Sequence, residues 1–406
     1  MVEIFLINIV GTDRKGLTNT LTSILASHEV RVLDIGQAVI HDHLSLGILV
    51  STTDSTRSCE LLKEILFKSH EIGVSIKLKP ISPAEYEEWV NTQGQERTIV
   101  TMLGRAITAE ALRRVTLVLL EQGLNIEKIS RLSRRLSLEA NPETSNACVE
   151  LSLTGTPLDR TQMHEALMAI IQDEVVDISV QADDMFRRNR RLVVFDMDST
   201  LIQCEVIDEL AKLAGVGDEV SAITERAMRG ELDFQSSFRQ RLALLRGLPM
   251  EEALAFAMRL PLMDGAARLI SVLKLLGYKT AVCSGGFTLF GHRLQELLGI
   301  DYIFANELEI LNGQLTGEVV GDIVDGPRKA LLMKQLAADL GLSLRQVIAV
   351  GDGANDLPMI QQAGLGIAFR AKPIVQAGSK HAISVLGLDG LLYLIGVRDR
   401  DLLAID

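Results

Sequence analysis

One short stretch constrains the fold of this chain more than any other. The apolar segment Leu-Val-Val-Phe at 192–195 is followed at once by two carboxylates, Asp196 and Asp198. Because the apolar run lacks polar alternation, it predicts a strand buried on both faces, as in a parallel sheet. Ligands of open α/β sheets bind where the strands end, so both carboxylates lie where a site is expected.

Two carboxylates this close repel each other unless a cation or a shared proton lies between them. Mg²⁺ suits the position, since it takes oxygen ligands and often bridges carboxylates to phosphate. The alternative is that Asp196 and Asp198 only form a turn and a helix cap before Leu201. Taken alone, the segment leaves both interpretations open.

Length, composition and charge limit the class of protein to which this chain can belong. Its 406 residues, 47% of them hydrophobic, predict two or three globular domains. The formal charge of −12 argues against nucleic acid or an anionic membrane as a partner. No apolar run approaches the ~18 residues of a membrane helix, and the first residues do not read as a secretory signal. Four scattered cysteines fit reduced thiols, so we expect a cytoplasmic protein.

The first half of the chain contains one pattern of strands and helices twice, at residues 1–85 and 95–181. In the first copy an apolar strand breaks at Gly11 and a helix follows, and in the second the break is at Gly104. Each copy predicts a βαββαβ unit, and repeated units of this kind usually pack on one another.

These two units resemble ACT domains, ferredoxin-like modules that bind amino acids and regulate metabolic enzymes. The resemblance implies a regulatory amino acid, for example L-serine, near Gly11, Asp13, Gly16 and Gly104. Amides at a helix N-terminus can hold a carboxylate, but these glycines can equally serve a tight turn. In the second copy Arg-Ala-Ile-Thr follows Gly104, so its loop departs from the first. ACT domains commonly pair edge to edge, which implies a homodimer.

The second half predicts a different architecture. Residues 182–190 are rich in arginine and read as a charged linker, a solvated face where two domains join. From 191 to 400, apolar strands alternate with helices, which predicts an α/β fold with a doubly wound parallel sheet. Within it, residues 206–262 have the helical spacing of an inserted cap.

Later strands of this half also end in polar residues. These residues, with one lysine that opens a helix, are Ser284, Gly285, Lys329, Asp352, Asn355 and Asp356. A carboxylate can act as a nucleophile towards phosphorus, and a second can move the proton. A hydroxyl, backbone amides and a lysine can hold phosphate oxygens. Singly, each residue has an ordinary role as a cap, turn or surface charge; together they predict phosphoryl transfer.

The four motifs are similar to those of haloacid dehalogenase-like phosphatases. The segments 196–205 and 227–241 are further similar to members that hydrolyse O-phospho-L-serine, the mycobacterial type of which carries two ACT domains ahead of the catalytic domain. This resemblance implies Mg²⁺-dependent hydrolysis through an aspartyl-phosphate, the last step of serine biosynthesis.

The resemblance also implies a role for each residue. Asp196 is the nucleophile and Asp198 the general acid and base. Mg²⁺ is bound by the carboxylates of Asp196 and Asp352 and by the backbone carbonyl of Asp198, with Asp356 supporting the metal. The phosphoryl group is held by Ser284, Gly285 and Lys329, and Asn355 either contacts it or orders the water.

In the cap, the resemblance assigns Glu205 to the substrate ammonium and Arg241 to its carboxylate, with Met228 and Phe234 as an apolar lid. Two other functions stay open. One is a phosphatase or phosphotransferase for another small phosphate ester, and the other is an amino-acid-responsive regulatory protein with an inactive catalytic half. Glu205 and Arg241 argue against the first, and the intact catalytic set argues against the second.

Overall fold

The computed structural model of the chain describes residues 2–53, 55–139, 141 and 145–402. The chain divides into two compact units, Met1–Gln95 and Glu96–Asp406. The second of the predicted βαββαβ units therefore clusters with the predicted catalytic domain. Among the described residues, no helix combines the length and the apolar character needed to cross a membrane.

The first unit is a four-stranded antiparallel sheet in the order β2-β3-β1-β4, with helices on one face. Its elements are β1 (Glu3–Thr12), α1 (Leu17–Ser27), β2 (Arg31–Ile40), β3 (His43–Thr52), α2 (Ser55–Ile72), β4 (Ser75–Ile81) and α3 (Pro83–Asn91). Leu17, Leu21 and Ile24 recur at helical spacing and pack on the sheet. The predicted ferredoxin-like fold is confirmed.

The second unit begins with the same fold. Its elements are β5 (Arg97–Gly104), α4 (Ala109–Glu121), β6 (Asn125–Arg131), β7 (Ala147–Thr154), α5 (Arg160–Asp173) and β8 (Val176–Ala182). The sheet order β6-β7-β5-β8 repeats that of the first unit. Alternate residues of β8 face opposite ways, so Val176 and Ile178 enter the core beneath the helices while Asp177 and Ser179 face away from it.

The rest of the chain forms a seven-stranded sheet in the order β12-β11-β10-β9-β13-β14-β15, in which only β12 is antiparallel. The strands are β9 (Leu192–Phe195), β10 (Lys279–Phe287), β11 (Tyr302–Leu311), β12 (Gln314–Val320), β13 (Val347–Gly351), β14 (Leu365–Phe369) and β15 (His381–Ile383). All four residues of β9 are buried at the centre, which confirms the predicted doubly wound sheet.

Five helices lie between β9 and β10; the first four form an inserted cap, and the fifth packs beside the sheet. The cap helices are α6 (Val206–Ala214), α7 (Gly217–Met228), α8 (Phe234–Ala243) and α9 (Met250–Ala257). The remaining helices are α10 (Ala266–Leu275), α11 (Thr288–Leu298), α12 (Gly326–Asp339), α13 (Leu357–Gln362), α14 (Pro373–Gly378), α15 (Leu391–Leu394) and α16 (Asp399–Leu402).

The segment predicted as a solvated linker is in fact partly buried. Arg187 is 2% exposed and donates to Glu150, and Arg190 is 5% exposed and donates to Gln181. The physical reason is that the βαββαβ domain and the large sheet share one apolar cluster, to which Cys148 contributes, so the connecting arginines are enclosed between them. The interpretation as a solvated face is wrong for these two side chains.

Candidate active site

The site begins where β9 ends. The Asp196 N–H donates to the Val350 carbonyl at 2.9 Å, so the sheet continues up to the carboxylate. Asp196 is 5% exposed, and its Oδ1 accepts from the Met197 N–H at 2.7 Å. Ser199 then takes a left-handed conformation, with φ of 55°, which is uncommon for a residue with a side chain. Such strained turns often hold residues that act in a site.

Lys329 lies in the first turn of α12, which Asp325 caps by accepting from the Arg328 N–H. Its ammonium is fully buried, 2.9 Å from Asp196 Oδ2 and 2.7 Å from Asp356 Oδ1. Burial disfavours an ammonium, but the two carboxylates outweigh that effect and raise the pKa of Lys329. The lysine therefore stays charged and is fixed against Asp196.

Three carboxylates form the one cluster of potential metal ligands among the described residues. Oxygens of Asp196, Asp352 and Asp356 all lie within 4.8 Å of one another. Burial, and then the charges of Asp196 and Glu205, raise the pKa of Asp352 to about 7. This excess of negative charge fits a cation. Both oxygens of Asp356 already accept, from Lys329 and from the Gly353 N–H, which leaves Asp356 better suited to support than to bind it.

Asp198 differs from Asp196 although only one residue separates them. Its Oδ1 accepts from the Val206 N–H at 3.2 Å, and no cation pairs with it in the described part of the chain. Burial, reinforced by the charges of Glu205 and Asp196, raises the pKa of Asp198 well above its usual range. The neutral form of Asp198 can donate a proton, whereas Asp196 is the partner of Lys329.

The end of β10 approaches the same point. Ser284 is fully buried, and its Oγ accepts from the Gly286 N–H at 2.8 Å, so its own proton is available to another acceptor. A Cβ on Gly286 would lie 2.8 Å from Asp198 Oδ2, which excludes any larger residue without a shift. Only a glycine lets this strand end reach Asp198 so closely.

Three polar residues that sequence reasoning missed support these groups. Asn306 is buried, donates to the Gly285 and Gly286 carbonyls, and accepts from the Val324 N–H. Thr200 donates to Asp352 Oδ1 at 3.2 Å. Ser199 donates to Glu205 at 2.7 Å. The signal for Thr200 and Ser199 was their place beside Asp198, whereas no local signal marks Asn306, which two glutamates of β11 closely follow.

The cap and α12 enclose a cavity of about 770 Å³ beside these groups. Five of the predicted residues line it, namely Glu205, Met228, Phe234, Arg241 and Asn355. The Phe234 ring covers Gly285, since its Cζ would lie 3.2 Å from a Cβ there. Met228 is 67% exposed, at the rim rather than in the core. Gln235, which the sequence did not indicate, donates to Asp325 at 2.8 Å and joins the cap to α12.

Arg241 is the cation among the described residues that line this cavity. Its Nε is buried and has no hydrogen-bond partner among those residues that the structure describes. Burial lowers the pKa of Arg241, while the charges of Asp208 and Glu205 oppose that shift. A guanidinium remains charged under these conditions, so its buried donors are available to an anion.

The predicted regulatory residues are explained by backbone geometry. Gly16 precedes α1 with φ of 86°, which glycine adopts without strain. A Cβ on Gly11 would lie 2.8 Å from Val74, and one on Gly104 would lie 3.0 Å from the Val175 carbonyl. The Asp13 N–H donates to the Asp42 carbonyl at 2.7 Å. A turn and close packing account for these positions, whether or not a ligand binds there.

Comparison with known proteins agrees with this architecture. Residues 190–364 match the haloacid dehalogenase-like hydrolases, and residues 3–79 and 97–181 each match ACT domains. The fold and site thus define a haloacid dehalogenase-like hydrolase with two ACT domains ahead of it. A phosphoserine phosphatase of Streptomyces coelicolor is 41% identical over 408 residues, which cover 100% of this chain and 95% of that protein. The chain belongs to the phosphoserine phosphatase family.

Another relative and two solved structures agree. Phosphoserine phosphatase SerB2 of Mycobacterium tuberculosis is 39% identical, over 99% of this chain and 95% of that protein. A haloacid dehalogenase family hydrolase of Salmonella enterica serovar Typhi superposes with a TM-score of 0.62 at 31% identity, covering 74% of this chain and 99% of that one. A probable phosphoserine phosphatase of Vibrio cholerae gives 0.56 at 34% identity, covering 77% and 90%.

Proposed function

We propose that this chain hydrolyses O-phospho-L-serine to L-serine and phosphate, as the last step of serine biosynthesis. The observation that carries the proposal is the pair of unlike carboxyl groups at the end of β9. Asp196 is ion-paired with buried Lys329, whereas burial and neighbouring charges raise the pKa of Asp198. The pair supplies a nucleophile and an acid at one point, and the names of the relatives supply the substrate.

The first step transfers the phosphoryl group to the protein. A carboxylate oxygen of Asp196 forms a bond to phosphorus as the bond from phosphorus to the serine oxygen breaks, and Asp198 gives its proton to that oxygen. Lys329, the Ser284 hydroxyl and Gly285 hold the other phosphoryl oxygens, with Asn355 beside them. Lys329 is suited to this because it is charged and positioned before substrate arrives.

The second step releases phosphate. Asp198, now a carboxylate, takes a proton from water, whose oxygen bonds to phosphorus while the bond to Asp196 breaks. The Asp196 carboxylate and the neutral Asp198 are both regenerated. Because Asp198 gives up a proton in the first step and takes one up in the second, a raised pKa suits it to both steps.

We propose Mg²⁺ as the cofactor. The carboxylates of Asp196 and Asp352 and the backbone carbonyl of Asp198 would hold it, with Asp356 as a supporting group. The oxygen-only donor set and the excess of negative charge at Asp352 support a hard cation. When bound, Mg²⁺ neutralises charge so that an anionic carboxylate can approach an anionic phosphate.

The cavity under the cap would bind the amino-acid part of the substrate. Arg241 offers a two-pronged hydrogen bond to the substrate carboxylate, and Glu205 a negative partner for its ammonium. Phe234 and Met228 would close over the bound molecule and exclude water. A substrate without the amino-acid group would lose both polar contacts.

The test is phosphate release from a panel of phosphate esters with Mg²⁺. We expect phosphoserine to be strongly preferred, EDTA to stop the reaction, and added Mg²⁺ to restore it. Asp196→Asn should abolish turnover, and retained turnover would remove the aspartyl-phosphate route. Equal rates on other small esters would favour a broader phosphatase instead. No phosphate release from any ester would favour a regulatory protein without activity.

The N-terminal domains complete the proposal. We propose ACT-type domains at 1–85 and 95–181, a connecting segment at 182–190 and a catalytic domain at 191–400, in a cytoplasmic homodimer regulated by an amino acid such as L-serine. The edge strand β2 supports pairing, because Ile35 and Ile40 are exposed apolar residues there. The free thiols Cys59 and Cys204 fit a reducing compartment. Rates measured with and without L-serine, and light scattering, test the regulation and the dimer.

A further inference from the structure

A second cavity, of about 540 Å³, lies where the second ACT domain meets the large sheet. It lies at the amino ends of the central strands, whereas the active site lies at their carboxyl ends. Arg190, Arg345 and Lys380 line the cavity, each one or two residues before β9, β13 or β15 begins. Six residue steps, which include the four residues of β9, separate Arg190 from Asp196, a span on the order of 20 Å for extended chain. The cavity is therefore distinct from the catalytic pocket.

Positive charge dominates the walls of this cavity. Arg345 pairs with Asp184, which also lines it, and Arg160 pairs with Glu96. Lys380 is exposed and has no ion pair among the described residues. With two of the cations neutralised, at least one full positive charge remains at the rim.

Arg190 adds a buried cation to the floor of the cavity. It is 5% exposed, and its hydrogen bonds to described residues go to neutral acceptors, the Arg187 carbonyl and Gln181. Its Nε is buried and has no hydrogen-bond partner in the part of the chain that the structure describes. A buried guanidinium without a carboxylate is costly unless something else compensates its charge. Asp184, on the same cavity wall, offsets part of this charge at a distance but makes no ion pair with Arg190 among the described residues. The unused donor and the missing direct carboxylate partner both point to an anion.

The remaining walls suit an organic molecule. The side chains of Met163, Val180 and Phe186 provide an apolar wall. A hydrogen bond of 2.8 Å joins His381 Nδ1 and Ser179 Oγ, so the two domains share a polar network beside the cavity. Burial, and then the charges of Arg190 and Lys380, lower the pKa of His381 to about 3. The ring is therefore neutral, chiefly because it is buried, and the neighbouring positive charges add to the effect.

We propose that this cavity is a second binding site, for a small organic anion that carries a carboxylate or a phosphate group. Its volume lies within the range of about 300–1,000 Å³ that is usual for small-molecule sites. The anionic group would lie between Arg190 and Lys380, and the carbon skeleton against the apolar wall. A molecule bound there would contact both the second ACT domain and the amino ends of the central strands.

The test is calorimetric titration of the full-length protein with two probes, succinate for a carboxylate and phenylphosphonate for a phosphate-like group that cannot be hydrolysed. Lys380→Glu reverses the exposed charge at the rim, and Lys334→Glu makes the same change on the exposed face of α12, outside the cavity. We expect at least one probe to bind, Lys380→Glu to weaken it at least about tenfold, and Lys334→Glu to leave it unchanged.

A third variant separates this site from the active site. Asp196→Asn should leave binding at the second cavity intact, and its failure to do so would assign the probe to the catalytic pocket and overturn the proposal. Equal affinities of Lys380→Glu and Lys334→Glu, or no binding of either probe at millimolar concentration, would overturn it as well. Preference for succinate or for phenylphosphonate decides between the two anion chemistries. None of these outcomes depends on phosphatase activity.

Discussion

At the scale of single residues, Lys329 joins stability to function. It is fully buried between Asp196 and Asp356, and each partner has lost its hydration as well. Removing one member of such a group leaves the others as uncompensated buried charges. We therefore expect Lys329→Met to lose phosphate release and about 3–5 kcal/mol of unfolding free energy. Thermal or denaturant unfolding, with phosphate release, measures both effects.

Lys334→Met, an exposed lysine on the same helix, is the matched control for that change. It should alter neither the midpoint of unfolding nor the rate. An unaltered midpoint in Lys329→Met would mean that the three charges are not coupled as the distances indicate.

Arg241 carries a second prediction at this scale, which concerns specificity. Its side chain lines the cavity and its Nε has no partner within residues 2–53, 55–139, 141 and 145–402, so a bound carboxylate would satisfy it. Arg241→Gln removes a charged hydrogen-bond donor, which costs roughly 2–3 kcal/mol, or about 30- to 160-fold in kcat/KM for phosphoserine. p-Nitrophenyl phosphate, which lacks the carboxylate, should lose much less.

Arg239→Gln, on the exposed side of the same helix, should leave both substrates unaffected. The comparison of the two variants on the two substrates isolates the contact with the carboxylate. A loss of the same size on both substrates would mean that Arg241 only supports the cap.

At the scale of elements, the end of β10 is held in place from the side by β11. Asn306 donates to two backbone carbonyls after Ser284 and accepts from the Val324 N–H just before α12. Asn306→Ala leaves these buried groups without partners, so we expect a loss of about 2–4 kcal/mol in stability and at least tenfold in kcat. Thr316→Ala on β12 removes a hydroxyl that bonds an exposed Glu309 and should cost little. Equal effects would remove Asn306 from this role.

The elements also separate what the sequence could predict from what it could not. The buried run of β9 and the glycines beside Ser284 are local features, and they predicted both the sheet and the convergence of its strand ends. The two ACT units followed from repetition. Asn306 and Gln235 were missed because their partners are far away in sequence and nothing local marks them.

The largest error in the sequence-based interpretation concerns the border between two domains. Its cause is again that the partners are far away in sequence. Arg187 and Arg190 were interpreted as solvated because arginines in a charged run usually are. Likewise, the polar face of β8, with Asp177 and Ser179, would ordinarily face water. In the structure Asp177 accepts from two backbone N–H groups that follow β15, and Ser179 contacts His381. Only the tertiary arrangement makes these polar residues an interface.

At the scale of the whole molecule, that interface makes stability depend on pH. His381 is buried and lies near Arg190, Lys380 and His164, and burial with those charges lowers its pKa from 6.5 to about 3. At a pH between these two values, His381 therefore binds a proton in the unfolded chain but not in the folded chain. Stability is fully present above pH 6.5 and decreases as the pH falls towards about 3. The slope is about 1.4 kcal/mol per pH unit, or roughly 2 kcal/mol by pH 5.

His381→Gln should remove this dependence, because glutamine can keep a hydrogen bond with Ser179 but does not titrate. The measurement is the difference in unfolding midpoint between the variant and the parent at pH 7 and at pH 5. We expect the variant to be the less stable at pH 7 and to lose less stability on acidification. His292→Gln, an exposed histidine on α11, controls for general effects of acid. The unfolding midpoints of His381→Gln and of the parent could instead fall by the same amount between pH 7 and pH 5. The His381 ring would then take up its proton without opening the junction, and it would not hold the two domains together.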